Sequence, residues 1–194
     1  MINIQDEDQF EEISITDCDI MEVNAKYVVF REVIFENVKF FDVNLERVDF
    51  IHTKFINCDL SNINLEEAVF HYCEFKNCKL IGTHMVDAST REIKFEACHC
   101  DYIMLGGSNL KDVSFIQCKM NQAGLSICKM KNVIFKECEM QRVDFSGTKL
   151  KEIDLSTCNI EGINVKLEDI RGVKISPTQA VEFSKMLGAV VVEV

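Results

Sequence analysis

The sequence has little of what interrupts regular structure, with one proline and eight glycines among 194 residues. Disulfide-stabilised secreted domains are short and rich in loops, so this composition argues against that class despite ten cysteines. The chain does not open on a charged segment followed by an apolar one, and no apolar run approaches the ~20 residues of a membrane span. A net charge of −11 argues against direct binding to nucleic-acid phosphates. We expect a single cytoplasmic domain that binds neither nucleic acid nor membranes.

What the sequence has instead is a repeat of five residues. From Phe10 to Ile175, every fifth residue is Phe, Leu, Ile or Met at 30 of 34 positions, and the residue two places before it is smaller and mostly apolar. Neither a helix nor a long alternating strand can keep two apolar positions in every five. The pattern predicts a solenoid in which these two residues point inward, the residue between them points outward, and the next two form a corner.

A second period, of twenty residues, gives the number of sides. Identical residues at this spacing predict vertical stacking on one face, so twenty residues make one coil and each coil has four sides. We expect an all-β solenoid of about eight coils and, at ~4.8 Å between neighbouring strands, a rod roughly 40 Å long. The two structural ladders that define the period are Phe35, Phe55, Phe75, Phe95, Phe115 and Phe135, and Cys58, Cys78, Cys98, Cys118, Cys138 and Cys158.

The repeat divides the chain into a leader (residues 1–9), the solenoid (10–175) and a C-terminal segment (176–194). Ser176 and Gln179 form a capping box around Pro177, and Gly188 is a C-terminal cap, so we predict a helix of about three turns and then a strand over 189–194. This segment either covers the last coil within one chain or also forms a two-fold dimer interface. The candidate dimerisation residues are Ala180, Phe183, Met186, Leu187, Val190 and Val192.

The cysteines fall at the two positions of the five-residue repeat that point inward, where small thiols are ordinary core residues. Core packing is the main interpretation, and a zinc or redox role is the alternative. In Cys98-His99-Cys100 the alternation points the imidazole outward and both thiols inward, so the three cannot share one ion. The sequence contains no glycine-rich phosphate loop and no assembly of Ser, His and Asp or of paired carboxylates. We expect no enzyme activity, no cofactor and no metal.

Charges are unevenly placed on the predicted surface. The side of the solenoid that contains Phe10 and Phe30 carries eight basic and eight acidic residues at its outward positions. The five-residue repeat also places one charged residue, Glu168, at an inward position. Smaller core residues between His84 and Gly107 are expected to soften or bend the rod. On the side of Phe10 and Phe30, the residue directly after the large apolar one forms a basic column. This column is either a solvated surface or the side left free when a partner binds elsewhere. Its members are Arg31, Arg91, Lys111, Lys131, Lys151 and Arg171.

The repeats resemble those of the pentapeptide repeat family, with consensus A(D/N)LXX. Good matches are Val43-Asn44-Leu45-Glu46-Arg47 and Cys58-Asp59-Leu60-Ser61-Asn62, and the resemblance covers residues 10–175. It implies a right-handed quadrilateral β-helix. Within the family, the acidic rod with its C-terminal cap is most similar to the fluoroquinolone-resistance group, although it lacks the loop insertions that some members of that group carry.

The resemblance implies a function as well as a fold. Members of that group bind DNA gyrase or topoisomerase IV, mimic duplex DNA in size and charge, and pair tail to tail. The expectation is a non-enzymatic, dimeric interaction protein that binds type II topoisomerase as a DNA mimic and modulates quinolone susceptibility. The alternative is a pentapeptide repeat scaffold for another protein partner, without topoisomerase activity.

Overall fold

The computed structural model describes residues 2–186 and 188–192, without the side chains of Glu182, Lys185 and Met186. This part of the chain is a solenoid of short strands followed by one helix. The elements are β1 Gln9–Glu11, β2 Ser14–Thr16, β3 Asp19–Asn24, β4 Val29–Arg31, β5 Ile34–Glu36, β6 Lys39–Asn44, β7 Asp49–Ile51, β8 Lys54–Ile56, β9 Val69–Lys76, β10 Ser89–Glu96, β11 Asn109–Ile116, β12 Lys129–Lys131, β13 Ile134–Lys136 and α1 Gln179–Met186.

Neighbouring coils pair in parallel at a constant offset of twenty residues. The register runs from Gln9 opposite Val29 in β1 and β4 to Asp154 opposite Lys174. The parallel β-solenoid is therefore confirmed. Continuous strands span about six turns rather than the predicted eight, because after β13 the sides of each coil are joined only by isolated bridges.

The corners are formed by residues in the left-handed conformation. The residue two places after the large apolar one has a positive φ in every repeat from Glu12 at 52° to Glu152 at 70°, and again at Gly162 and Gly172. Glycine and asparagine adopt this conformation most readily, and Gly82 and Asn62 lie in this column. Since the column recurs every five residues, each coil of twenty residues has four corners. Strands β9, β10 and β11 continue through a corner, at Tyr72, Glu92 and Asp112 respectively.

The predicted alternation of inward and outward side chains is confirmed, because buried and exposed residues alternate along the repeats. Glu168 is an exception, since it is exposed and its neighbour Asp169 is buried in its place. The reason is local: Leu167 does not adopt the left-handed conformation of the neighbouring corners Gly162 and Gly172, and the Asp169 amide donates to the carbonyl of Lys166.

The stretch between His84 and Gly107 keeps its register. Thr90 pairs with Phe70 on one side and Leu110 on the other, within the eight-residue strand β10. Its hydroxyl donates to the carbonyl of Asn109 at 3.2 Å. A smaller residue therefore fits here without interrupting the ladder of strands.

Both ends of the solenoid are covered. At the N-terminal end Ile4 is buried, the Glu7 amide donates to the carbonyl of Lys26, and the Lys26 amide donates to the Asp6 carboxylate at 2.8 Å. The leader is thus continuous with the first coil. At the other end α1 packs Phe183 into the core. Within the described residues no helix is long and apolar enough to span a membrane.

The C-terminal helix has the predicted caps but is shorter than predicted. The Gln179 amide donates to the Ser176 hydroxyl at 3.3 Å, and the Ser176 amide donates to the Gln179 side chain at 2.8 Å. Gly188 has a φ of 82°, and the Ala189 amide donates to the Ser184 carbonyl, which closes the helix. The predicted strand is absent over residues 189–192, where the chain has no neighbouring strand to pair with, and residues 193–194 lie outside the described part.

Candidate interaction surface

The phenylalanine side chains stack in two internal columns. In the ladder from Phe35 to Phe135, successive ring centroids are 4.5–5.3 Å apart and the ring planes are nearly parallel. A second column, from Phe10 to Phe70, contacts the first edge to face, as between Phe30 and Phe35 at 5.3 Å. Such pairs stabilise more than their buried area alone would. They give the rod a rigid core, on which its surface columns are fixed.

The cysteine ladder forms hydrogen bonds inside the rod. The thiol of Cys58 donates to the carbonyl of Phe35 at 3.3 Å, and Cys78 donates to Phe55 in the same way. Thr53 and Thr83 make the equivalent bond from their hydroxyls, to Phe30 and Leu60. This small inward position therefore holds a donor for a carbonyl of the preceding coil, which explains why Cys, Thr and Ser occur there beside Val and Ala.

All ten cysteines are free thiols, and nine of them are buried. Burial raises the pKa of Cys73 to about 12 and that of Cys128 to about 11. Cys98 and Cys100 point inward, whereas His99 is partly exposed and bonds Asp101 at 2.7 Å. In the part of the chain that the structure describes, no group of three or more His, Cys, Asp or Glu side chains is arranged to hold a metal ion.

A polar cluster that the sequence analysis missed joins three neighbouring coils. Arg47 donates two hydrogen bonds to Glu67, both 2.9 Å long, and one to the Tyr27 hydroxyl at 2.6 Å. The hydrogen bonds raise the pKa of Arg47 and lower that of Glu67. The signal was present in the sequence, because these residues are twenty apart in the corner column.

An acidic surface with an apolar centre lies on the first coils. Residues 1–50 contain thirteen acidic and four basic residues, so a charge of −9 lies in this quarter of the chain. At the centre of the surface are Phe41, 69% exposed, and Met21, 42% exposed, which are register partners in β6 and β3. The N-terminal acidic surface consists of this pair and five exposed carboxylates that form no ion pair among the described residues: Asp17, Asp19, Glu22, Glu36 and Asp42.

The predicted basic column is exposed over most of its length. Arg91, Lys111 and Lys131 are direct register partners in β10, β11 and β12, so like charges are stacked one coil apart. Arg31, further down the same face, instead pairs with Glu11 at 3.3 Å. Arg91 lies 3.8 Å from Glu92, whereas Lys111, Lys131, Lys151 and Arg171 form no ion pair among the described residues.

The candidate dimerisation residues fall into different environments. Phe183 is buried in the core of its own chain, whereas Ala180, Val190 and Val192 are exposed, the two valines by 86% and 74%. The side chain of Met186 and the whole of Leu187 lie outside the described residues. The sequence analysis missed Gln179, whose buried amide donates to the carbonyls of Leu155 and Cys158 at 2.7 and 2.6 Å.

Solved structures with the same architecture are known. HetL, a pentapeptide repeat protein involved in heterocyst differentiation regulation from the cyanobacterium Nostoc sp. strain PCC 7120, is 14% identical, and the alignment covers 89% of this chain and 88% of HetL with a TM-score of 0.54. A trypsin-treated variant of QnrB1, a plasmid-mediated fluoroquinolone resistance protein, is 16% identical over 96% of this chain and 99% of that one, with a TM-score of 0.49. At 14% identity the likeness to HetL shows the fold alone. No curated protein matches the chain.

The sequence itself matches a family model. The model, described as a pentapeptide repeat region, matches residues 28–105 and 108–184, which includes most of the solenoid and the start of the cap. The match agrees with the constant twenty-residue register and with the left-handed corner in each repeat from Glu12 to Glu152. The chain belongs to the pentapeptide repeat family.

Proposed function

We propose that this protein is a non-enzymatic scaffold that binds a basic surface of a protein partner through its N-terminal acidic surface. The observation that carries the proposal is the exposed pair Phe41 and Met21, surrounded by unpaired carboxylates. Exposed aromatic and methionine side chains are typical centres of protein interfaces, and charges at the rim select the partner. A rigid core supports this surface, so little conformational entropy would be lost on binding.

The specific partner that we propose is a type II topoisomerase, with the protein acting in the cytoplasm. The resemblance to the fluoroquinolone-resistance group suggests it, and the mechanism would be competition with DNA for a positively charged groove. Since the acidic residues are concentrated in the first coils, the N-terminal end of the rod would enter the groove, rather than the whole rod lying along it. Binding driven by charge would weaken as salt increases.

The test is a gyrase supercoiling assay with purified protein, with and without a quinolone. We expect a change in supercoiling that the variant D19N/E22Q/D42N weakens by at least about tenfold, because each lost charge pair at an interface changes affinity substantially. The control E66Q/E139Q/E161Q removes the same number of exposed carboxylates elsewhere and should act as the unchanged protein does.

No effect on supercoiling at micromolar concentrations would contradict the topoisomerase proposal and favour the alternative, a scaffold for another partner. An equal loss in both variants would contradict the assignment to the N-terminal acidic surface. Phe41→Ala tests the apolar centre in the same assay, and because this side chain is exposed the substitution should leave stability within about 0.5 kcal/mol.

We also propose that two copies pair through the exposed end of the C-terminal segment. Phe183 is used within its own chain, so the support comes from Ala180, Val190 and Val192. Light scattering coupled to size exclusion in about 0.5 M NaCl, which screens contacts between charged surfaces, should give a dimer that V190D/V192D converts to a smaller species. An unchanged mass in the variant would contradict pairing through these valines.

A further inference from the structure

The side of the solenoid that contains Phe30 carries charges of opposite sign at its two ends. We call this the Phe30 face: the sides of the coils centred on Phe10, Phe30, Phe50 and Phe70 in its first half, and on Thr90, Leu110, Met130, Leu150 and Ile170 in its second half. Its outward charged residues in the first half are Glu11, Glu12, Arg31, Glu32 and Asp49. In the second half they are Arg91, Glu92, Lys111, Asp112, Lys129, Lys131, Lys149, Lys151, Glu152 and Arg171.

The charges of the second half are not balanced within the chain. Among the described residues, only Arg91 of its seven basic side chains has a carboxylate within 4.0 Å. Lys111 and Lys131 are register partners in adjacent strands, about 4.8 Å apart, where like charges destabilise a sheet. This arrangement lowers the stability of the isolated chain. An acidic partner would reverse that cost.

The first half of the same face offers the complementary charge. Arg31 is paired with Glu11 at 3.3 Å, which leaves Glu12, Glu32 and Asp49 without an ion pair among the described residues. Glu12 and Glu32 are exposed. The face as a whole is therefore close to neutral, with an acidic half and a basic half, and the structure describes no loop that rises above it.

We propose that the Phe30 face binds the Phe30 face of a second copy of this chain in antiparallel orientation. A two-fold axis that lies in the plane of the interface, perpendicular to the rod and between the coils of Tyr72 and Arg91, brings each acidic half onto the basic half of the partner. In this register the coil of Glu12 faces that of Lys151, the coil of Glu32 faces that of Lys131, and the coil of Asp49 faces that of Lys111. Glu12 and Glu32 lie diagonally across from the two lysines, one residue apart along the strands. An interface of this kind is isologous, so one self-complementary face is sufficient.

The centre of the face provides a suitable contact at the axis. Tyr72 is 38% exposed, stacks on His52 with ring centroids 4.7 Å apart, and lies under Arg91 at 5.9 Å. Tyrosine and arginine are the residues most enriched at the centres of interfaces. The axis thus passes through an aromatic and cationic patch rather than through like charges.

The available area agrees with a salt-sensitive dimer. Eight coils at ~4.8 Å and sides of five residues at ~3.3 Å give a face of roughly 600 Å², or about 1,200 Å² for both copies, the lower limit for a specific interface. Apolar burial alone would be weak at this size, so charge complementarity must contribute. The N-terminal acidic surface lies on the opposite side of the square, around Ile20 and Phe40, and stays accessible in both copies.

The test uses charge reversal in the full chain carrying V190D/V192D, so that pairing through the C-terminal segment does not contribute. In that background, the protein should associate in about 0.05 M NaCl and dissociate toward about 0.5 M NaCl, measured by sedimentation. K131E/K151E removes the net positive charge of the second half, and E12K/E32K turns the net negative charge of the first half into a small positive one. Each variant alone should self-associate at least about tenfold more weakly, because like charges then face each other.

The decisive measurement is the mixture of the two variants. An antiparallel isologous contact restores complementarity at every pair, so labelled K131E/K151E should bind E12K/E32K as tightly as the parent binds itself, within about threefold. Binding no tighter than that of either variant to itself would overturn the proposal, as would absence of self-association in the parent. The four substituted residues, Glu12, Glu32, Lys131 and Lys151, are exposed. A thermal unfolding midpoint equal to that of the parent verifies that each variant is folded.

Discussion

At the scale of single residues, the corner column dominates the conformational cost of this fold. Left-handed φ values cost L residues other than glycine and asparagine roughly 1–2 kcal/mol, and the protein uses many other residue types there, including Ile127 at 57°. The cost is tolerated because parallel pairing on both sides holds each corner in place. A β-branched side chain is the least suitable occupant.

The corner at Ile127 gives a direct prediction. Ile127 is 72% exposed, so replacing it with asparagine removes backbone strain and loses little packing. We expect Ile127→Asn to raise the free energy of unfolding by about 1 kcal/mol in urea titrations. Ile134→Asn, at a comparably exposed position in strand β13, should instead leave stability unchanged or lower it. Equal effects at both sites would contradict the strain.

The buried thiols predict a dependence of stability on pH. Burial raises the pKa of Cys73 from 9.0 to about 12, so the folded state favours the protonated form. This contribution is fully present below pH 9, where both states keep the proton, and is lost as pH rises from 9 through 12. Comparing Cys73→Ala with the unchanged protein, we expect the variant's unfolding free energy to fall less steeply over this range. Identical slopes would contradict the shift.

At the scale of elements, the ends of the solenoid need solutions that the repeat does not contain. Helix α1 covers the last coil in two ways: Phe183 fills the apolar core, and the Gln179 amide satisfies two carbonyls of the exposed edge. An open edge of unpaired backbone groups promotes aggregation. The glutamine of the capping box is therefore a structural contact as well as a helix signal.

Removing this amide should destabilise the cap. Gln179→Ala leaves the Cys158 carbonyl and the Ser176 amide without a partner, while the Leu155 carbonyl keeps the Cys158 amide at 2.9 Å. We expect a loss of about 1–3 kcal/mol in the free energy of unfolding. Gln141→Ala is the matched control, since that side chain bonds the exposed Glu161 at 2.7 Å and its loss should cost at most about 0.5 kcal/mol. Equal losses in the two variants would show that the buried bonds add nothing.

The periodic part of this architecture could be predicted from the sequence, and the ends could not. Five-residue and twenty-residue periods determine which side chains point inward and which columns stack, because every coil repeats the same environment. Gln179, Ile4 and Asp169 lie where the repeat stops or slips, so their burial depends on contacts that occur once. For the same reason, the strand predicted after Gly188 is absent from the described residues that follow it.

The candidate surfaces were only partly predictable. The columns identify the exposed side chains, and the twenty-residue spacing identifies neighbours such as Met21 and Phe41. Ion pairing depends on side-chain conformations that spacing does not determine. Arg31 pairs with Glu11 whereas Lys111 has no such partner among the described residues, although both occupy the same column.

At the scale of the whole molecule, charge is distributed along the axis. The first fifty residues carry −9 of the total −11, so the N-terminal coils repel themselves while the remaining rod is nearly neutral. In a repeat protein each coil contacts only its neighbours, and local stability can therefore differ along the length. The functional and self-association proposals both depend on this polarity.

Screening this repulsion should stabilise one end selectively. Raising NaCl from about 0.05 to about 0.5 M shortens the Debye length from roughly 13 to 4 Å. We expect backbone amides of the first two coils to exchange hydrogen several-fold more slowly at the higher salt, and those of the coils from Leu105 to Phe145, where the stacked Lys111 and Lys131 repel each other, to slow by a smaller factor. Mass spectrometry of peptic fragments measures both regions together, and uniform slowing along the rod would contradict the prediction.

The constant offset of twenty residues also restricts how the chain can change in length. Removing five residues from the solenoid preserves every corner but rotates everything after the deletion by a quarter turn. Lys131 and Lys151 would then leave the side of Glu12 and Glu32, while the core remained filled. Removing twenty residues shortens the rod by one coil and keeps all columns aligned. Surface patterns on this scaffold are therefore conserved by changes of whole coils and rearranged by changes of single repeats.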